Sequence, residues 1–413
     1  MAVTRTERAQ PASTARYNRK KEAIIAAAAG ILNRHGVRGM TLADVAAGVG
    51  LITTSVTYYF KKKEDLALAC YLRAIARYDV LISDALQKPD PQAQLAALLE
   101  NFFQLDRRIR EGKEPPLVTF SDLRSLHEPH LSMVNTAYSQ MFRKVRSLFQ
   151  HPGQDQKARR MATARAHVLM EQLFLTAIWL PRFEVEDYPR VCARMLDILH
   201  HGIAGEQTAW APEPLPEIDR ITHGEPESAR ETFLVSATRL INQLGYRGAS
   251  VEKISEQLNV TKGSFYHHND AKDDLVVSCF LRSFAIVRQA QTLAMAMGGT
   301  LCAQIAAAAA SLAEFQVSER GPLLRTSSLS ALPEPIRYDM MDQAARVTGR
   351  FSGMISDGVA EGSLRPVDPL IAAQMLNASL NASSAALLVI PKIEPGEIAT
   401  FYIKPVLLGM FAA

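Results

Sequence analysis

Two groups of side chains in this sequence are placed for recognition chemistry. The first 21 residues carry Arg5, Arg8, Arg16, Arg19, Lys20 and Lys21 against Glu7 alone. Such a basic run can neutralise the phosphates of a nucleic acid and add salt-dependent affinity. Thr53, Thr54 and Ser55 set three hydroxyls in succession, and small hydroxyl groups can contact either a base edge or a phosphate. Bond-making chemistry has no comparable support. There is no G-x-x-x-x-G-K-[ST] loop, no H-E-x-x-H helix and no G-x-S-x-G elbow. His200-His201 and His267-His268 are adjacent on expected helices, so the rings of each pair point about 100° apart and do not converge on one metal. Cys70, Cys192, Cys279 and Cys302 lie far apart in apolar stretches without a CxxC pair. They suggest neither a zinc site nor a disulfide framework and fit a reducing cytoplasm. The expectation is a cytoplasmic protein that is not an enzyme and uses no metal and no cofactor.

The elements that must position these groups are short helices. Ala23, Ile24, Ala27, Ala28, Ile31 and Leu32 recur at helical spacing over 18–35, and Gly36 supplies a left-handed cap. Thr41 caps the next helix, with Asp44 three residues on to reach back to the Thr41 backbone N–H as a capping box. That helix ends at Val49-Gly50-Leu51, and a third runs from about Ile52 to Tyr59. Helix, three-residue turn, helix is the arrangement whose second helix enters the DNA major groove.

The same pattern is written twice. Gly36-Val37-Arg38-Gly39-Met40-Thr41 returns 209 positions later as Gly245-Tyr246-Arg247-Gly248-Ala249-Ser250. The register holds through Lys63-Glu64-Asp65-Leu66 against Lys272-Asp273-Asp274-Leu275 and on to Cys70 against Cys279. A repeat this long is a duplicated domain, not a solenoid unit. The 413 residues agree, being more than one hydrophobic core usually serves. No apolar run reaches the ~20 residues of a membrane helix. Between the copies, Gly205 to Pro226 contains Pro212, Pro214, Pro216 and Pro226 and reads as a semi-extended linker. At about 3 Å per residue it can span roughly 60 Å.

Val260-Thr261-Lys262-Gly263-Ser264-Phe265-Tyr266-His267-His268 resembles the recognition helix of the TetR family of transcriptional regulators, and Lys272-Asp273-Asp274-Leu275 resembles the start of that family's fourth helix. The resemblance implies an all-α fold of two such units. Each unit would have a three-helix DNA-binding head followed by a larger helical domain for ligand binding and dimerisation, and the pair would form a pseudo-twofold dimer in cis. It implies DNA contacts at Thr261, Lys262, Gly263, Ser264, Tyr266 and His267, with Lys272 on a phosphate. The matching positions of the first copy are Thr53, Thr54, Ser55, Thr57, Tyr58 and Lys63, and the helix-capping Thr41 and Ser250 complete the set. Thr57 stands where the family commonly has a phosphate-binding tyrosine, and Asn269 where it commonly has a core phenylalanine.

The implied partition is a basic arm over 1–17, head one over 18–62, an effector and pseudo-dimerisation domain over 63–204, the linker over 205–226, head two over 227–271 and a second effector domain over 272–413. Helix four is expected at Lys63 to Leu86 and Lys272 to Met297. The final helices are expected at Ala164 to Leu180, Tyr188 to Ile203, Pro369 to Ile390 and Ile398 to Met410. These are apolar over so wide a face that they must be buried, and in the family they form the bundle between subunits. For a small-molecule effector the interior of copy one offers Phe103, Tyr138, Phe142, His167, Met170, Phe174 and Trp179. Such a stripe also serves as plain core.

The expected function is a regulator that binds double-stranded operator DNA, most simply a repressor released by a small apolar or aromatic effector, without membrane contact and acting as a monomeric pseudo-dimer. The alternative is a ligand-binding or interaction module in which one or both heads have decayed.

Overall fold

The computed structural model describes residues 10–206, 208–215, 218, 229–257, 272–394 and 396–412. Among these residues the fold is all-α, with an isolated antiparallel bridge between Ala204 and Leu364. Half one comprises α1 (Gln10–Gly39), α2 (Leu42–Gly48), α3 (Thr53–Tyr59), α4 (Lys63–Ala85), α5 (Pro91–Arg110), α6 (His130–Ser147), α7 (Gln156–Trp179) and α8 (Tyr188–His201). Half two comprises α9 (Ala229–Gly248), α10 (Val251–Gln257), α11 (Lys272–Ala296), α12 (Leu301–Phe315), α13 (Glu334–Glu361), α14 (Pro369–Ser383), α15 (Ala386–Val389), α16 (Glu397–Tyr402) and α17 (Lys404–Leu408). A short 3-10 turn precedes α6 at Phe120–Ser125, and another precedes α13 at Thr326–Ala331.

The duplication holds contact by contact. Gly36 and Gly245 each break the first helix of a head at positive φ, 66° and 74°, where an L side chain would be strained. The Cys70 thiol donates to the Ile25 carbonyl at 3.5 Å, and Cys279 to Leu234 at 3.7 Å. Arg73 pairs with Glu22 at 3.5 Å and Arg282 with Glu231 at 2.6 Å. Each of these contacts reappears 209 positions on because the two heads fold around the same core.

Several expectations need correction. The arm is helical from Gln10, so α1 is longer than the 18–35 segment that its apolar spacing marks. Thr41 does cap α2, its hydroxyl accepting from the Asp44 amide at 3.1 Å. The Asp44 carboxylate, however, takes the Thr41 hydroxyl proton at 2.6 Å rather than the backbone N–H. The helix expected to run to Ile390 stops at Ser383. There Ser384 donates to the Asn381 carbonyl and accepts from Arg325, side-chain bonding that competes with helix continuation. The last helix divides between Tyr402 and Lys404, since Pro405 brings no N–H to the ladder.

The halves meet through α7 and α8 packed on α14, α16 and α17, and one hydrophobic core runs through both. The seam is closed by backbone as well as side chains. The amides of Ile203 and Ala204 donate to the Leu407 carbonyl at 3.0 and 2.9 Å, and Met410 donates to the Leu199 carbonyl at 2.7 Å. Gly202 (φ 71°) and Gly409 (φ 99°) make this approach possible: a Cβ at either would lie 2.1 Å from the Leu407 oxygen or 2.3 Å from the His200 oxygen. Buried Gln172 donates to the Met375 carbonyl at 2.8 Å and to Ser379 Oγ at 3.1 Å across the same seam.

The start of the linker is docked on half two. Trp210 Nε1 donates to Thr400 Oγ1 at 3.0 Å, and the Leu215 amide donates to Ser311 Oγ at 3.0 Å. No described helix is long and apolar enough to cross a membrane.

Candidate nucleic-acid interface and ligand cavity

The geometry of α3 follows from its sequence. Val56 and Phe60 are buried in the head, which leaves Thr53, Thr54 and Tyr58 facing solvent and Ser55 and Thr57 half-buried. Tyr58 is 68% exposed. The Thr57 hydroxyl donates back to the carbonyls of Thr53 and Thr54 at 3.1 and 3.0 Å, so it can offer a partner only its acceptor side. Lys63 Nζ donates to the Arg38 carbonyl at 2.8 Å, tying α4 to the end of α1.

Sequence reasoning passed over three features of this face. Lys61 and Lys62 stand exposed directly after α3; the run of three lysines was the signal. Tyr17 lies against Tyr59 and Tyr58, with ring centroids 4.8 and 6.2 Å apart. That contact fixes the helical extension of α1 beside α3; Arg16, Arg19 and Lys20 of this extension are exposed. Lys21 meanwhile sits 5.7 Å over the Phe60 ring.

In head two, Ser250 Oγ accepts from the Lys253 amide at 3.4 Å at the start of α10. Lys272 lies 4.4 Å over the Tyr246 ring, and the Tyr246 hydroxyl donates to Asp273. Thr261, Lys262, Gly263, Ser264, Tyr266 and His267, together with Asn259 and Asn269, lie outside the described residues.

Each head is fastened to the helical domain by an asparagine clasp. Asn33 Nδ2 donates to the Leu117 carbonyl and Asn33 Oδ1 accepts from the Thr119 amide, both at 2.9 Å. Asn242 repeats this with the Leu323 carbonyl at 2.8 Å and the Arg325 amide at 3.1 Å. The same amide at matching positions of a repeat was the legible signal. Head two has an additional hold: Arg124 of half one donates to the carbonyls of Gln243 and Asn242 at 2.7 and 3.3 Å.

Of the residues considered for an effector, most are packed ring on ring. Phe120 centres a cluster with Tyr78, Tyr138 and Phe174 at 5.2 to 6.1 Å, and Tyr78 stacks on Phe102. Phe103 meets Tyr188 edge to face, Met170 is buried and Phe142 half-buried. His167 Nδ1 is 3.2 Å from the Tyr402 hydroxyl of half two, which makes it a seam residue. Burial holds its imidazole down to about 3, with nearby Arg325 adding to the effect. Trp179 lines a cavity of about 60 Å³ on the seam.

The family description "Bacterial regulatory proteins, tetR family" matches this chain twice, at residues 24–70 and 233–279, the two heads with the start of the helix that follows each. The Transposon Tn10 TetC protein of Escherichia coli is 33% identical over 61 residues, which is 15% of this chain and 31% of that protein. The chain thus matches about a third of that relative's length. Among solved structures, a TetR family transcriptional regulator, PfmR from Thermus thermophilus, is similar at 20% identity and a TM-score of 0.37. FadR from Bacillus subtilis in complex with stearoyl-CoA is similar at 14% identity and a TM-score of 0.36. Each likeness covers 43% of this chain and 97% of the other.

Proposed function

The chain belongs to the TetR family of bacterial regulatory proteins in a tandem form, and from that premise we propose that it is a DNA-binding transcriptional regulator whose operator affinity responds to a small-molecule effector. The reading is carried by the coincidence of both family matches with the described helices of the two heads, the first of which presents Thr53, Thr54 and Tyr58 outward beside exposed Lys61 and Lys62. Hydroxyls supply base-edge or phosphate hydrogen bonds, and the lysines supply the charge. The finer proposal is a repressor, released when the effector binds, with one polypeptide acting as both halves of a dimer. The seam supports that arrangement, because the apolar faces that would join two subunits are here satisfied within the chain.

A mobility-shift titration on the DNA upstream of the protein's own coding region tests the proposal. Retardation that weakens steeply with salt is expected. A chain that ignores this fragment and a random pool of duplexes at low salt is no regulator of this kind.

A further inference from the structure

The cavity on the seam has walls from both halves: Trp179, Leu175 and exposed Arg182 on one side, and Thr326, Met341 and Asn377 on the other. Its 60 Å³ holds about four to six water positions, enough for a short aliphatic group. Asn377 Nδ2 donates to Thr348 Oγ1 at 2.7 Å in its wall, which makes that part polar, while Leu175, Ile178, Leu329 and Met341 supply apolar wall.

Thr326 in this wall is one peptide from the clasp on head two. The Arg325 amide donates to Asn242, and the Thr326 amide donates to Asn381 Oδ1 at 2.9 Å. Asn381 in turn donates to Glu171 of half one. A displacement of the turn Thr326–Ala331 must therefore be felt at α9. The corresponding turn of half one is wedged by Phe120 among Tyr78, Tyr138 and Phe174, and the residues that line the cavity include none from it.

We propose that the seam cavity is the effector site, that it takes a small amphiphile with an apolar body and a carboxylate- or amide-like polar end, and that its occupancy is transmitted to head two through Thr326, Arg325 and Asn242. This rests on the reading of the chain as a ligand-responsive regulator. Arg182 at the rim favours the anionic form of the ligand, and Asn377 supplies an amide to its polar end. Ligand binding acts by favouring the arrangement in which the cavity is wider and the clasp looser.

The test fills the cavity covalently. Ala345, another wall residue, is changed to cysteine and treated with butyl methanethiosulfonate. The thiolate attacks the thiosulfonate's alkyl-bearing sulfur, a mixed disulfide forms and methanesulfinate leaves. Native thiols do not compete, since burial pushes Cys70 and Cys192 up to about 12, Cys279 to about 11 and Cys302 upward, and the thiolate is the reactive form. Mass spectrometry counts the label. Amide exchange in α9 is expected to quicken about tenfold while α1 stays unchanged, and DNA affinity is expected to fall about tenfold, both restored by dithiothreitol. Asn242→Ala should abolish the response, and labelled Lys88→Cys on the surface should show none. Gln374→Cys, on another wall, serves if Ala345→Cys misfolds. Complete labelling with α9 unchanged, or with α1 and α9 loosened alike, overturns the proposal. A response in α9 from a protein that retards no DNA supports the coupling and sinks the regulator reading instead.

Discussion

At the scale of single residues, charge divides the proposed recognition face. Lys61 and Lys62 are exposed, whereas Lys63 is already engaged with the Arg38 carbonyl. Lys61→Ala and Lys62→Ala should each weaken binding to all duplexes alike and reduce the salt slope by about 0.9, the loss expected per phosphate contact. A change in preferred sequence would show that they read bases. His167 provides a pH prediction. Its folded value of about 3 lies below the unfolded 6.5, so protonation favours the unfolded chain. The stability it leaves intact above pH 6.5 is lost progressively as pH falls from 6.5 towards 3. By pH 5 the cost reaches at most about 2 kcal/mol. Half-buried Glu171, raised by desolvation, acts with the opposite sign, so the quantity to measure is the difference from His167→Gln. Urea midpoints at pH 7 and pH 5 should converge for the variant and separate for the parent chain; equal slopes would place His167 in water.

Elements are joined at a few points where substitution has little room. Asn242→Ala takes the side-chain partner from the buried Leu323 carbonyl and the half-buried Arg325 amide, at a cost of about 1 to 3 kcal/mol, and Asn33→Ala should cost less, since Asn33 bonds exposed Thr119. Thermal melts of both should show it. Asn242→Ala should also free α9 to exchange faster, because the Leu323 carbonyl and the Arg325 amide then lose their hold on its C-terminal half, leaving Arg124 and Arg239 to tie it there. The paired glycines of the seam are stricter. Alanine at Gly202 or Gly409 sets a Cβ 2.1 or 2.3 Å from the opposing backbone oxygen at positive φ, and each substitution should cost more than about 2 kcal/mol. A neutral Gly202→Ala would mean that the halves do not meet this way in solution.

For the whole molecule, the continuous core through both halves predicts a monomer. Light scattering should give 45.5 kDa, and a stable mass of twice that at low concentration would indicate a four-headed assembly. Two unlike recognition sequences predict an asymmetric operator, since site symmetry mirrors protein symmetry. Thr53-Thr54-Ser55 would face one half-site and Thr261-Lys262-Gly263-Ser264 the other. Lys262→Ala should relax preference in one half-site only, at about 1 to 3 kcal/mol. A perfect palindrome selected from a random pool would reject different readings by the two heads.

What the sequence determined by itself is local or periodic. The duplication, the glycine breaks at 36 and 245, the Thr41 cap and the apolar terminal helices all follow from spacing and from backbone conformations that few residues tolerate. The helical arm was missed because basic residues carry no apolar period, and its anchor is the contact between Tyr17 and Tyr59, distant in the chain. The ends of α14 and α16 were overrun because Ser384 and Pro405 act through particular hydrogen bonds and not through composition. Only the tertiary structure decided which aromatics are core and which line space. Phe174 and Trp179 are both large apolar residues five positions apart on α7; one is wedged against Phe120 and the other faces a gap between halves. That difference is set by what the opposite half brings to the seam, and packing against a partner surface leaves no periodic trace in either segment.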